Sequence, residues 1–273
     1  MPRSVRIAAF AAALAAAVLC SGGRAGAEPE PGTGGDAETV VLLHGMGRGR
    51  ASLWVLDTRL RQAGFKTLNF PYVTHSKSLD TLSDSLREFV HENVAPGARY
   101  HLVAHSLGNI IIRNGFKRGF PPGLGRIVML APPNQPAELA RALKDNPIYR
   151  WFTGDSGQQL ASAEFYAGLP VPEVEFGVIA GDRGQSVTFK EPNDGVVTVD
   201  STRLAGMKDW VLVHHAHTFI MNSRHVALLC AQFLRHGNFA LTEGMELSET
   251  ADVLLENETE TGRDPSENGN AAP

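Results

Sequence analysis

One short stretch constrains the fold more than any other, because Ser106 lies where an apolar run changes directly into a helical pattern. The spacing predicts a strand over residues 100–104 and a helix over residues 107–117, which leaves no residues for a loop between them. So tight a turn strains the backbone of the serine and points its hydroxyl out of the end of a sheet. The positions two residues before and after it must then be small, and Ala104 and Gly108 meet that requirement.

The same change from an apolar run to a helical pattern recurs along the body of the chain. Short, continuously apolar runs are typical of strands buried on both faces, and they occur at 39–43, 67–70, 100–104, 126–130, 175–180 and 210–213. Helical patterns lie between or after them at 52–62, 78–94, 107–117, 158–166 and 224–235. Repeated strand–helix units predict an α/β fold with a mostly parallel sheet of about six strands flanked by helices. Such sheets bind their ligands at the carboxyl ends of the strands.

The first 27 residues have the pattern of a secretory signal, with a basic start, an apolar run over residues 7–19 and a small-x-small cleavage site that ends at Ala27. The 13 residues of this run are fewer than the roughly 20 that a membrane span needs. We therefore expect cleavage after Ala27, a flexible linker over residues 28–37, and export to a periplasm or out of the cell. Lipidation at Cys20 is the alternative, but Leu19 stands where that signal has a small residue.

Composition predicts one folded domain over residues 38–238. The stretch 239–273 holds nine acidic residues against one basic residue and is expected to be a solvated, disordered tail. An acidic arm that binds a partner is the alternative for this stretch. Residues 28–238 carry 21 basic and 20 acidic residues, and this near balance argues against a nucleic-acid partner. With Cys20 removed by cleavage, Cys230 has no partner for an intramolecular disulfide, so the core must stabilise the fold.

One connection is longer than the others. Residues 134–172 separate two predicted strands and contain apolar side chains and two short helical patterns. We expect them to form a helical cap that receives an apolar part of the substrate, with Trp151 and Phe152 in contact with it. Packing of this region on the sheet edge is the alternative.

Residues suited to a catalytic triad follow the serine along the chain. A serine hydroxyl needs a base to accept its proton, an acid to orient that base, and donors for the oxyanion that forms. His217 is the expected base and Asp194 the expected acid, because each follows a predicted strand and so lies at the same sheet edge as Ser106. Four other residues remain open alternatives for these two roles: Asp182 and Asp200 for the acid, His214 and His215 for the base.

A glycine-rich turn after the first strand supplies the expected donors. Its glycines let the backbone fold over the site, so that the amides of Met46 and Leu107 can form an oxyanion hole. His44 is expected to support this turn, and His105 is expected to shape the tight turn at Ser106, which we call the serine elbow. Both histidines are expected to border the substrate together with Gly45.

The same turn could be read as part of a dinucleotide-binding motif. That interpretation is disfavoured because Arg50 stands at the third glycine position and no acidic residue follows at the expected strand end. The histidines and carboxylates show no metal-ligand spacing, so we expect neither a metal nor another cofactor.

Four elements occur in an order that resembles the α/β-hydrolase superfamily: His44-Gly45, Ala104-x-Ser106-x-Gly108, Asp194 and His217. The chain is more narrowly similar to small exported bacterial lipases and esterases, some of which also carry alanine before the nucleophile. The stretches 130–135, 157–160 and 178–181 also resemble one set of uncharacterised exported hydrolases. In that set Gln135 is usually followed by glycine and serine, whereas Pro136 and Ala137 stand here.

The resemblance implies a serine hydrolase that cleaves carboxylic esters through an acyl-enzyme. It implies Ser106 as nucleophile, His217 as base, Asp194 as the orienting acid, and Met46 and Leu107 as oxyanion donors. We expect a small-molecule or lipid ester as substrate, with transient contact at a lipid surface. An exported acyltransferase with the same triad, or a non-catalytic binding protein on the same fold, is the alternative.

Overall fold

Six parallel strands form one sheet in the computed structural model, which describes residues 37–74, 77–135, 163–184 and 190–241. The strands lie side by side in the order β2-β1-β3-β4-β5-β6, and every neighbouring pair is parallel. Their bounds are β1 (Thr39–Leu43), β2 (Lys66–Asn69), β3 (Tyr100–His105), β4 (Leu124–Leu130), β5 (Phe176–Gly181) and β6 (Asp209–Val213). The predicted α/β architecture of about six mostly parallel strands is confirmed.

The central strands are buried along their whole length. All residues of β1 and β3 are buried, which explains why neither sequence alternates regularly between apolar and polar residues. Thr39 pairs with Tyr100 and Leu43 pairs with Ala104, so the carboxyl ends of these two strands are level. The turn after β1 and the turn after β3 therefore leave the sheet side by side.

Helices cover both faces of the sheet. Their bounds are α1 (Trp54–Gln62), α2 (Leu79–Asn93), α3 (Leu107–Gly115), α4 (Ala163–Ala167) and α5 (Arg224–His236). One hydrophobic cluster joins α1 and α5 to the sheet through residues such as Leu56 and Phe233. A second cluster joins α2 and α3 to the other face through residues such as Leu86 and Ile111, and it also includes Tyr166 of α4.

Local signals set the ends of these helices. Ser78 and Ser223 precede α2 and α5, and each side-chain oxygen accepts a hydrogen bond from a backbone amide of the first turn. Helix α5 ends at Gly237, whose φ of 75° places it in the left-handed region that favours glycine. The helix expected over residues 52–62 is divided into a 3-10 turn at Arg50–Leu53 and helix α1.

Arg113 ties helix α3 to both described ends of the long connection. Its guanidinium donates to the carbonyl oxygens of Leu169 at 2.9 Å, Pro170 at 3.0 Å and Asn134 at 3.3 Å. The side chain is buried, and this burial lowers its pKa to about 10. A cation whose described partners are carbonyl oxygens thus holds the chain where the predicted cap leaves and rejoins the sheet.

Several predicted segments fall outside the described residues. These are the signal over residues 1–27, the linker up to residue 36, residues 136–162 of the predicted cap, and the tail beyond residue 241. The folded body continues past its predicted end at residue 238, because Phe239 is buried in the core and Leu241 packs against it. None of the helices among the described residues combines the length and apolarity that a membrane span requires.

Candidate active site

Ser106 lies in the strained turn between β3 and α3. Its φ of 52° and ψ of −117° fall in a region that residues other than glycine rarely adopt. The close contacts at Gly108 explain the need for small neighbours, since a Cβ added there would lie 2.9 Å from Leu43 Cβ and 3.2 Å from Ala104 Cβ. The first turn of α3 therefore packs directly against β1 and β3, with the serine at the apex.

Asn109 holds this turn in place, a role that the sequence analysis missed. Its side-chain amide donates to the backbone oxygen of Ser106 at 3.1 Å and to that of Leu130 at 3.2 Å. The amide of Ser106 donates to the same Leu130 oxygen at 2.9 Å. The strained turn is thus fastened to the end of β4, and an asparagine three residues after a candidate nucleophile is the sequence signal that could have indicated it.

His217 and Asp194 form a buried pair. His217 Nδ1 lies 2.7 Å from Asp194 Oδ2, and the amide of His217 donates to the Asp194 backbone oxygen at 2.9 Å. The other carboxylate oxygen accepts bonds from the amides of Val196 at 3.0 Å and Val197 at 2.7 Å. Because an ionised carboxylate can only accept, the imidazole proton lies on Nδ1 and leaves Nε2 as an acceptor.

The alternative acids and bases lie in other surroundings. Asp182 pairs with His214 at 2.8 Å, and the His214 side chain is 78% exposed. Asp200 is 84% exposed and lies 3.8 Å from Arg203. The backbone of His215 bonds to Val213 and Arg183. Among these candidates, His217 and Asp194 are the two that are buried and in contact with each other.

His105 brings the His217 loop to the serine elbow. It immediately precedes Ser106, and its Nε2 lies 3.0 Å from the backbone oxygen of His217. The two imidazole rings are in contact, with centroids 4.7 Å apart. Ser106 Oγ and His217 Nε2 are both buried, and neither has a hydrogen-bond partner among the described residues. Such unsatisfied polar atoms are rare in folded proteins and occur at catalytic sites.

The turn after β1 passes over the serine. A Cβ added at Gly45 would lie 3.2 Å from Ser106 Cβ and 2.7 Å from His105 Nδ1, so only glycine fits this approach. Met46 follows and is half-buried against the core. The amide of Gly47, whose φ is 64°, donates to Thr74 Oγ1 at 3.2 Å and fixes the far side of the turn.

His44 lies buried beneath this turn. Its ring stacks on Tyr72 with centroids 4.1 Å apart, and its nitrogens lie 2.8 Å from the Gly45 oxygen and 3.2 Å from the Tyr72 oxygen. The Tyr72 hydroxyl donates to the His44 carbonyl. Burial lowers the pKa of His44, although its two contacts with carbonyl oxygens oppose this shift, and burial raises the pKa of Tyr72.

The second expected oxyanion donor, Leu107, is the first residue of α3. The first amides of a helix have no acceptor within the helix and give its N-terminus a partial positive charge, and the N-terminus of α3 directly follows Ser106. The amide of Asn109 in this first turn donates to the Ser106 backbone oxygen at 3.0 Å. Trp151 and Phe152, the expected substrate contacts of the cap, lie outside the described residues. Across the described ranges, no cluster of three or more histidine, cysteine or acidic side chains is arranged to hold a metal ion.

Residues 40–245 match the alpha/beta hydrolase family. A search of curated proteins finds no match. Among solved structures, the chain is similar to the mature form of the lipase BlEst2 from Bacillus licheniformis, with 16% identity, a TM-score of 0.56, and coverage of 77% of this chain and 94% of the lipase. It is also similar to the lin2722 gene product of Listeria innocua, with 16% identity, a TM-score of 0.51, and coverage of 76% and 96%. At these identities the likeness establishes the fold.

Proposed function

Because this chain belongs to the alpha/beta hydrolase family, we propose that it is a serine hydrolase that cleaves carboxylic esters. Ser106 is the nucleophile, His217 the general base and Asp194 the acid that orients the base. The observation that carries the proposal is the buried 2.7 Å contact between His217 and Asp194, in a loop that lies against the serine elbow. With its proton on Nδ1, a neutral His217 has Nε2 free to accept a proton, and neither this nitrogen nor Ser106 Oγ has a hydrogen-bond partner among the described residues.

The reaction proceeds by acyl transfer to water. Ser106 Oγ attacks the ester carbonyl while His217 Nε2 accepts its proton, and the resulting oxyanion accepts bonds from the amides of Met46 and Leu107. His217 then donates the proton to the leaving alcohol, and the acyl group remains on the serine. Water attacks the acyl-enzyme by the same route, which releases the acid. Asp194 stays ionised throughout and stabilises the imidazolium that forms on His217.

The remaining predicted substrate contacts divide into two groups. Gly45 borders the reacting carbonyl, because its backbone passes directly over Ser106. His44 and His105 are buried, and their described ring contacts are with the protein. They therefore support the site from behind. Trp151 and Phe152 of the cap remain the expected contacts for an apolar acyl group, and they favour a small-molecule or lipid ester.

Hydrolysis of a p-nitrophenyl ester series of increasing acyl length tests this proposal. The Ser106→Ala and His217→Ala variants are expected to lose activity by a factor of about 10⁴ or more. Ser52→Ala and His214→Ala are the matched controls, since the half-buried Ser52 hydroxyl bonds only locally to the Gly49 carbonyl, His214 is exposed, and both residues lie outside the triad. Equal activity in Ser106→Ala and Ser52→Ala would refute the proposal. A burst of acylation without turnover, relieved by an added alcohol, would indicate an acyltransferase.

We also propose that the protein is exported, with cleavage after Ala27 and transient contact with a lipid surface during catalysis. The signal pattern of residues 1–27 supports export. Intact mass and N-terminal sequencing of the protein from its native host are expected to give a chain that starts at Glu28. An unprocessed N-terminus in the cell extract would contradict export.

A further inference from the structure

The His105 side chain contacts three separate parts of the site. Its own backbone ends β3 and continues into the serine elbow. Its Nε2 contacts the His217 carbonyl, and its Nδ1 edge faces Gly45 so closely that a Cβ there would approach to 2.7 Å. The ring also packs on the His217 imidazole at 4.7 Å between centroids. One side chain thus joins the turn at Ser106, the glycine-rich turn after β1, and the loop that carries His217.

These contacts fix the tautomer of His105. A carbonyl oxygen can only accept a hydrogen bond, so Nε2 must carry the proton that it donates to His217. Nδ1 is buried and has no hydrogen-bond partner among the described residues. It faces the backbone of Gly45, which offers no acceptor at that point for a second ring proton. The geometry therefore requires a neutral imidazole with its proton on Nε2.

The charges around the ring favour the same neutral form. Burial lowers the pKa of His105 well below the usual histidine value, and electrostatic interaction with His217 and Arg48 lowers it further. The hydrogen bond to the His217 carbonyl opposes this shift without reversing it. A neutral His105 therefore adds no positive charge beside the imidazolium that forms on His217 during catalysis.

We propose that His105 is a positioning residue, whose Nε2–H ties the main chain of His217 to the turn that carries Ser106 and so sets how closely the His217 ring can approach the serine. The inference rests on the proposed function, since it assigns a task within the same triad. His105 does not contact the reacting atoms and acts through the His217 loop. Displacement of a catalytic group by about 1 Å can lower a rate by about 100-fold, so one hydrogen bond at this point has a large kinetic effect.

The proposal is tested by His105→Met and His105→Gln. Methionine and glutamine have similar length and shape, but only glutamine has a terminal N–H that can reach the His217 carbonyl. The readouts are kcat and KM for an ester, the rate of Ser106 labelling by a fluorophosphonate, and the midpoint of denaturant unfolding. We expect His105→Met to lower kcat and the labelling rate by about 30- to 100-fold with KM little changed. His105→Gln is expected to restore most of both rates at a similar unfolding midpoint.

Two results would overturn the proposal. Equal rates in the methionine and glutamine variants would show that the donor has no role. Rate losses that follow the loss of stability in both variants would show that His105 is only a packing residue.

Nitrogen-15 NMR of the wild-type histidines gives a readout that needs neither activity nor a folded variant. Two-bond proton–nitrogen correlations distinguish the tautomers of a neutral imidazole. We expect His105 to carry a single proton, on Nε2, at about pH 8 and still at about pH 6, where an ordinary histidine is already largely protonated. An Nδ1 tautomer, or a doubly protonated ring at pH 6, would contradict the inference. Absence of fluorophosphonate labelling in the wild type together with the expected tautomer would instead place the failure in the proposed function.

Discussion

Replacement of Asp194 by asparagine is expected to move one proton of His217 and to leave the rest of the site nearly unchanged. The Oδ1 position accepts bonds from the amides of Val196 and Val197, so the side-chain oxygen of asparagine is held there. Its NH2 group must then take the Oδ2 position, 2.7 Å from His217 Nδ1. Two donors cannot face each other, so the His217 proton moves to Nε2 and the ring can no longer accept the proton of Ser106.

The expected cost follows from that tautomer change. A histidine locked in the wrong tautomer lowers kcat by about 10⁴-fold, which corresponds to about 5.5 kcal/mol of barrier. The free energy of unfolding should change by less than about 1 kcal/mol, because both backbone bonds to Oδ1 are retained. The assay is kcat/KM for the preferred ester at pH 8, with denaturant unfolding of the same preparations.

Asp182→Asn is the matched control. Asp182 is one of the two alternatives for the acid, and its carboxylate pairs with His214, which is exposed. We expect this variant to keep its activity within about twofold, since surface ion pairs contribute little. A large loss in Asp182→Asn, or a loss below about tenfold in Asp194→Asn, would refute the assignment of the acid.

Three further predictions concern the packing and titration of the described core. In denaturant unfolding, Gly108→Ala should destabilise the protein by about 1–3 kcal/mol and also lower its activity, because the new methyl group overpacks β1 and β3. Gly49→Ala is the neutral control, because the added carbon meets nothing within 4 Å. Arg113→Lys should lower the free energy of unfolding by about 2–4 kcal/mol, since a lysine leaves buried carbonyls without donors. The exposed Arg118→Lys should change the free energy of unfolding by less than about 0.5 kcal/mol. An equal loss of stability in both variants would contradict the role of burial. Burial lowers the pKa values of three histidines of the core, His44, His101 and His105. The free energy of unfolding should therefore be constant above about pH 7 and decrease as pH falls below about 6.5, by up to about 1.4 kcal/mol per pH unit for each of them, because the unfolded state binds protons that the folded state excludes. A flat profile from pH 7 to 5 would contradict these lowered pKa values.

The sequence predicts the sheet and the elbow because both depend on local patterns. A predominantly apolar run such as the one predicted over residues 100–104 has to be buried on both faces, and every residue of the observed strand Tyr100–His105 is buried. The requirement for a small residue at position 108 follows from the strand–turn–helix geometry alone. The close contact of Gly108 with Leu43 gives its physical reason.

The sequence does not decide which aspartate is the acid and which histidine is the base. Both Asp182 and Asp194 follow predicted strands, and neighbouring histidines offer equal chemistry. Only the folded chain shows that Asp182 turns outward to His214 while Asp194 turns inward to His217. This difference depends on the backbone of the loops, which sequence periodicity does not specify.

Contacts between residues distant in the chain account for what the sequence analysis missed. Arg113 lies in an amphipathic segment where a charged residue is expected on the surface, yet it is buried because carbonyls more than fifty residues away accept its bonds. His105 contacts a carbonyl 112 residues further along the chain. No pattern within either segment indicates such a partner.

Labelling with a fluorophosphonate probe tests the central claim most directly. The probe reacts only with a serine whose proton a neighbouring base removes, and it does not require the natural ester to be known. Intact mass followed by peptide mapping of the wild-type protein is expected to show one adduct, on Ser106, which is absent from Ser106→Ala and strongly slowed in Asp194→Asn. Failure of the folded wild-type protein to react, or an adduct on another serine, would contradict the account.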